Sequence, residues 1–561
     1  MRILKSKLAA LLCLCPVVSL ALFARTYSVH ANPNPDAAEE AMSTIRPEAI
    51  RADMRFLSDD ALEGRGTGTR GYDIAAKFMA TQFESLGLQP AGDNGSYFQR
   101  VPLRLQKPDE TKTSLVLSRS GKDETLIFRK DYISRGNPVL PKTSVEAPVV
   151  FVGDGVTAPD KNYDDYRGID AQGNIVALMA DAPNFESSLK AHYSSWELKL
   201  QNAVAHGAVG VIFLDDPVFE QLYSFKEQVR DLSFPELRWL DKQQRPNDYF
   251  PELKGGAFLS LEATKKFFAG SPHSAEEVFA AIKAGKPMSF VMPITAKIHN
   301  VTGLQDVASR NVVAKLEGSD PTLKNEYVVY SAHLDHLGIG EPVKGDNIYN
   351  GALDNASGSA ILLEVARAFS GMKTRPRRSI LFLSVTGEEA GLLGSDYFAH
   401  YPTVNKSSVV ANVNMDEDAM LWPLRDIVAF GAEHSSLDTA VKKAAARLGL
   451  SESPDPMPEE VVFIRSDQYS FVKQGIPAIF PVAGFKSDDP KIKPADIFKN
   501  WEQTRYHQPQ DDMDQPGLDF DAAVKYARFV FLCGFLITED SQRPTWNKGD
   551  FFGEHYSHQA N

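Results

Sequence analysis

The sequence predicts an α/β fold, a mostly parallel sheet flanked by helices, with a β-rich module inserted ahead of its main part. Three observations carry this. After residue 300, short unbroken apolar runs alternate with segments of helical periodicity, the pattern of a sheet covered on both faces. From about 110 to 290 the texture changes to closely spaced apolar runs with few helical stretches. The composition, 43% hydrophobic and 24% charged over 561 residues, is that of a globular chain able to bury more than one core.

Along the chain, Arg2, Lys5 and Lys7 precede an apolar stretch from Leu8 to Phe23, then Val29-His30-Ala31. A short apolar stretch before small residues reads as a signal peptide, residues 1–31. Residues 32–109 form the first part of the main domain. In Gly71 to Leu88, Ile74, Phe78, Met79, Phe83 and Leu86 recur at helical spacing, and Gly87 closes the helix. The segment 91–110 is turn-rich and ends in an alternating strand. The inserted module, 110–292, contains Val149 to Val152, Ile175 to Met179 and Gly210 to Leu214 as strands, with a helix over Leu198 to His206 and a polar, Pro-rich stretch at 240–256. The main domain resumes over 293–540: a strand at Tyr327 to Tyr330, a helix at Ala360 to Phe369, strands at Ile380 to Val385 and Val409 to Val413, a helix at Thr439 to Leu448, a strand at Ala478 to Phe480 and a helix at Phe520 to Leu536. A tail, 541–561, follows.

Charge narrows the function. Sixty basic against 73 acidic residues give −13, and cleavage after Ala31, removing Arg2, Lys5, Lys7 and Arg25, takes this to −17. No basic run tracks a phosphate backbone, so nucleic acid is not an expected partner. The mature chain is expected to be periplasmic or extracellular, with no stable membrane span. Of three cysteines only Cys533 remains, inside the apolar run Phe529 to Phe535. It reads as a buried spectator, since apolar surroundings raise a thiol pKa.

In open α/β sheets the ligand site lies beyond the carboxyl ends of the strands, and chemistry-bearing residues follow the apolar runs. His333, Asp335 and His336 follow the first strand, Asp354 precedes a helix, Glu388 and Glu389 follow Val385, Asp416 follows Val413, and His507 and Asp511 come later. Two imidazoles and three carboxylates suit a pair of zinc-like ions, because three anions offset most of a +4 charge while one carboxylate bridges. Two metals about 3.5–4 Å apart can hydrolyse an amide, given a base. An extended Glu388-Glu389 pair points its side chains apart, one to metal and one to water.

These residues, with Leu62-Glu63-Gly64-Arg65-Gly66-Thr67-Gly68 near the start, resemble the M28 family of zinc aminopeptidases, specifically exported members with an inserted protease-associated domain. The resemblance implies a zinc-dependent exopeptidase fold, two zinc ions and peptide substrates. By it, His333 and Asp416 bind one zinc, Glu389 and His507 the other, and Asp354 bridges both. Glu388 is the general base that takes the proton of the bridging water and passes it to the leaving amine. A cis peptide is implied at Asp354-Asn355. Asp335, counted with Glu388 as catalytic, is expected to accept the second N–H of His333, and Asp511 that of His507. His336 is placed outside the ligand set or at the pocket rim, and Asp467 among pocket residues.

The chemistry expected is release of an amino-terminal residue, with acidic groups receiving the α-ammonium and the inserted module restricting access or walling a pocket. A carboxypeptidase of the same architecture would need cations for a terminal carboxylate, and Arg465 and Lys473 are available. A glutaminyl cyclase would use one zinc. An inactive binding protein would have lost a ligand residue, and none is lost.

Overall fold

The computed structural model describes residues 35–416 and 420–557. The expected signal peptide lies outside the described residues. The main domain has seven principal strands: β1 (Phe98–Pro108), β2 (Ser289–Leu316), β3 (Tyr327–His333), β4 (Ser379–Val385), β5 (Val409–Asn414), β6 (Asp426–Phe430) and β7 (Ala478–Ala483). Its helices include α1 (Pro47–Leu57), α2 (Arg70–Ser85), α3 (Gly358–Ser370), α4 (Leu393–His400), α5 (Gln468–Val472), α6 (Pro494–Thr504), α7 (Phe520–Glu539) and α8 (Phe551–Tyr556). The helix read over Gly71 to Leu88 appears as α2, with the Thr69 hydroxyl capping its start through the Tyr72 N–H.

At the centre β4, β3, β5 and β7 run parallel, in that order. Antiparallel strands close the two sides, β2 on β4 and β6 on β7. The sheet is mixed at its margins and parallel where the site lies. Every residue of β4 and β5 is buried, which explains their unbroken apolar sequence. Alternate side chains divide between two cores. Val328, Tyr330, Ile380 and Phe382 face α1, α3 and α7, whereas Val329, Leu381, Leu383 and Val385 face the side of α4 and α5.

The inserted region has its own sheet and cores, built around the parallel strands Lys142–Val152, Ile175–Met179, Gly210–Leu214 and Gly256–Leu259. Its expected end at 292 falls inside β2, a strand of 28 residues. The first half of β2 pairs with Ser114–Arg119 and Lys142–Val152, the second with β1 and β4. Glu236–Trp239, assigned to the insert, pairs with β1 instead. One long bent strand therefore welds the two bodies, a continuity that hydropathy does not mark.

Within the expected tail, the described residues 541–557 include a helix. In α8, Phe552 packs on His434 and Phe463 of the main domain, and Phe551 on Tyr193 of the insert. Cys533 is buried in α7, and burial pushes its thiol up. Among the described residues no helix is long and apolar enough to cross a membrane.

Candidate metal centre

The C-terminal ends of three parallel strands converge on one point. His333 closes β3, Glu388 and Glu389 follow β4, and Asp416 follows β5 by two residues. Asp354 enters from the turn before α3 and His507 from the turn after α6, its backbone held at φ +52°. All seven site residues expected from the sequence, Asp335 among them, meet here.

Asp354 is central. Its Oδ1 lies 3.3 Å from His333 Nε2 and its Oδ2 3.3 Å from His507 Nε2. His333 Nε2 is 3.0 Å from Asp416 Oδ1, and His507 Nε2 is 3.0 Å from Glu389 Oε2. Two donor groups, His333 with Asp416 and His507 with Glu389, thus share one carboxylate. The separations fit zinc: ligands about 2.0–2.1 Å from a tetrahedral ion lie about 3.3 Å from each other. The donor set, imidazole nitrogen and carboxylate oxygen, is also one that zinc accepts. Glu388 Oε2 stands 4.0 Å from His333 Nε2, close to the pair without belonging to either group.

The turn carrying Asp354 is fixed from several sides. The Asp354–Asn355 peptide is cis, as expected. Asn355 Nδ2 donates to the Met415 carbonyl at 3.0 Å, and its Oδ1 accepts the Gly358 N–H at 2.9 Å, tying this turn to the strand end that bears Asp416. Gly351, at φ +59°, approaches so closely that a Cβ there would lie 2.2 Å from the Asp354 carbonyl.

Electrostatically the centre calls for positive charge. Burial opposes ionisation of Asp354, but His336, His333 and His507 outweigh it and hold the carboxyl well below its ordinary range. Burial also disfavours imidazolium, yet the surrounding carboxylates raise His333 and His507 well above the usual histidine value. Burial pushes Glu388 well up, and Asp335 and Asp511 to about 6. Divalent cations would answer that demand.

Several supporting roles differ from those expected. The carboxylate of Asp335 is 4.0 Å from His333 Nδ1, and the acceptor at 3.1 Å is the Asp335 backbone carbonyl. The chain turns after β3, which brings that carbonyl to the ring and sends the carboxylate to the Thr67 hydroxyl at 2.9 Å and the Glu388 N–H at 3.2 Å. Asp511 does not serve His507. It accepts the backbone N–H groups of Leu353 and Asp354 at 2.9 and 3.0 Å, and so positions the central carboxylate. Of the two places expected for His336, outside the ligand set or at the pocket rim, the first agrees with its burial, its Nδ1 lying 2.5 Å from Glu389 Oε1. Asp467 is buried behind the centre, pushed to about 7 by burial, while Arg465 and Ser466 line the adjoining cavity.

Two residues received no role from the sequence. The Ser466 hydroxyl donates to Asp416 Oδ2 at 2.5 Å and accepts from Asn414 Nδ2 at 2.8 Å. Arg65, fully buried beneath the site, donates to the carbonyls of Leu57, Leu334, Asn350 and Gly351. It pins the chain on both sides of the centre, and burial draws its guanidinium down to about 10.

Residues 311–531 match the description Peptidase family M28. Over these residues, fewer than half of the chain, it is similar to peptidase family M28. A probable zinc metalloprotease of Pyrenophora teres f. teres (strain 0-1) is 35% identical to it over 121 residues, 20% of this chain and 24% of that protein. The aminopeptidase NAALADL1 of Mus musculus is 33% identical over 129 residues, 22% of this chain and 15% of that one. The chain thus spans a quarter or less of the length of these two relatives. In structure, the aminopeptidase from Aneurinibacillus sp. strain AM-1 aligns over 89% of this chain and 95% of its own with a TM-score of 0.51. At 20% identity that likeness is one of fold. The M28 segment contains His333, Asp354, Glu388, Glu389, Asp416 and His507.

Proposed function

We propose that this M28 chain is an exported aminopeptidase that holds two zinc ions and removes the amino-terminal residue of peptides. The observation that carries the reading is the pair of donor groups sharing Asp354, with Glu388 beside them and outside both. His333 and Asp416 would hold one ion, His507 and Glu389 the other, and Asp354 both. Zinc, when bound, polarises a carbonyl and acidifies water. Glu388 takes a proton from the attacking water at its carboxylate and delivers it to the departing amine. Asp335 sets the Glu388 backbone through the N–H it accepts. The Nδ1–H of His333, donated to the Asp335 carbonyl, leaves Nε2 free to ligate. Export rests on the leader-like segment 1–31, and the inserted region acts as a protease-associated domain limiting access to the cleft. No residue of 110–292 lines the cavity beside the centre, although Phe234 packs on Tyr349 at 5.0 Å.

A carboxypeptidase needs a cation to grip a terminal carboxylate, and both candidates are engaged. Lys473 lies 3.3 Å from Glu197 and 3.5 Å from Asp396. Arg465 lies 3.1 Å from Glu460 and donates to the Tyr506 hydroxyl. The test is an assay of the mature chain, with and without chelator, on amino-acid p-nitroanilides and on amino-blocked peptides with a free carboxylate. Chelator-sensitive release from the anilides is expected, and activity confined to blocked peptides would overturn the proposal.

A further inference from the structure

The cavity beside the metal centre is walled by a continuous row of rings. Tyr506 stacks on His507 at 3.9 Å, Trp501 lies 5.5 Å from Tyr506, and Phe498 lies 6.1 Å from Trp501. Phe485 and Trp422 extend the row, each 5.8 Å from the ring before it. The row thus starts at a proposed zinc ligand and lines a cavity of about 120 Å3 that Glu388 and Asp416 also line.

Beyond Asp354, Glu388 and Asp416 of the metal centre, the same cavity carries three further carboxylates, Asp455, Glu460 and Glu502, against one guanidinium, Arg465. Asp455 is occupied by the Ser187 hydroxyl at 2.7 Å and the Met457 N–H at 2.9 Å. Glu460 pairs with Arg465. Glu502, next in sequence to Trp501, is the third; burial, with Glu460 nearby, pushes its carboxyl up to about 7 against the pull of Arg465 and Lys499, so that an entering cation would favour its ionised form. Aromatic faces attract a cation through their quadrupoles, and a part-buried carboxylate gains most from a cationic donor. A wholly apolar side chain would use the rings yet desolvate Glu502 without replacing its water.

Resting on the aminopeptidase reading, we propose that this cavity receives the first side chain of the substrate and selects one with an apolar stem and a cationic end, as in lysine or arginine, Glu502 being the specificity-determining residue. The ammonium or guanidinium meets Glu502 while the stem lies along the Trp501–Tyr506 wall. Glu460 holds Arg465 back from the entering cation.

Lysine and norleucine share a stem and differ at its end, so they isolate the charge. Two measurements test the proposal: kcat/KM of the zinc-loaded chain on lysine and norleucine p-nitroanilides, and calorimetric binding of lysinamide and norleucinamide to Glu388→Gln protein. Lysine is expected to be preferred about tenfold in both, the size of one charge-assisted hydrogen bond. Glu502→Gln, of nearly the same volume, should lower that ratio to about one to three, and Glu460→Gln should lower it less. Norleucine binding and reacting as well as lysine, or a ratio unmoved by Glu502→Gln, overturns the proposal. Cleavage of norleucine anilide without lysine preference overturns this selectivity alone, whereas failure to cleave any anilide overturns the aminopeptidase reading. In that case the amide-binding ratio still decides what the cavity prefers.

Discussion

Two sheets in this chain, each parallel at its centre, gather acids at the carboxyl ends of those parallel strands and resolve the resulting charge differently. In the main domain, Asp354, Glu389 and Asp416 face two imidazoles, whose nitrogens and oxygens all point toward a shared space. In the inserted sheet, Asp154, Asp181, Asp215 and Asp216 follow the ends of Lys142–Val152, Ile175–Met179 and Gly210–Leu214. There the cation is part of the chain. Lys199, fully buried, donates to the carbonyls of Asp154 at 2.6 Å, Met179 at 3.0 Å and Asp181. Burial lowers its pKa, and the surrounding aspartates work to keep it charged. Strand ends collect acids in both places. Only an edge that leaves its neutralising charge to imported ions would gain an electrophile for chemistry.

The widest predicted separation between the two edges concerns catalysis. Glu388→Gln should cut turnover by about two to four orders of magnitude, the contribution general-base groups make, while two zinc ions per chain remain by elemental analysis. Turnover near that of the parent would remove Glu388 from its role. Next comes Lys199→Met, which strands three carbonyls and the acids around them. Urea unfolding should show a loss of about 3–5 kcal/mol, as for other broken buried pairs, with zinc content under native conditions unchanged. If this substitution instead released zinc from folded protein, the two edges would be coupled and the contrast between them would fail.

The sequence made the parallel strands legible because burial on both faces leaves continuous apolar runs, and the site residues stand directly after those runs. Supporting contacts were harder. Ser466 reaches Asp416 across 50 positions, and Arg65 reaches Asn350 across 285. Neither lies in a periodic pattern, and a buried arginine bonded to carbonyls looks in sequence like any surface arginine. Asp335 and Asp511 are legible as supporting acids but their partners are not, because spacing from a histidine does not say which way a turn sends a carboxylate. The long strand β2 hid the seam between the two bodies, since a strand that changes sheets midway keeps one unbroken pattern.

A smaller effect sharpens the account of the ion-holding edge from behind it. Ser466→Ala removes the hydroxyl that orients Asp416 Oδ2. Loss of such an outer partner weakens metal binding by about 10–100-fold, so one of the two zinc ions should be withdrawn at lower chelator concentration than in the parent. Equal release of both ions would show that Ser466 does not favour the His333–Asp416 side.

The smallest effect concerns the junction between the two bodies, where His434 pairs with Asp550 at 2.7 Å just ahead of α8. Burial works against a charged ring here, but Asp550 and Glu433 prevail and raise the pKa to about 9 from an ordinary 6.5. A raised folded-state pKa gives stability that is fully present below the unfolded value and is lost as pH climbs through the folded one. The chain should therefore lose of order 1–3 kcal/mol between about pH 6.5 and 9 through this group, read as a falling midpoint in urea. His434→Gln should flatten that slope while lowering stability at pH 6. A slope unchanged by the substitution would mean that the charge on His434 does not help to hold α8 in place.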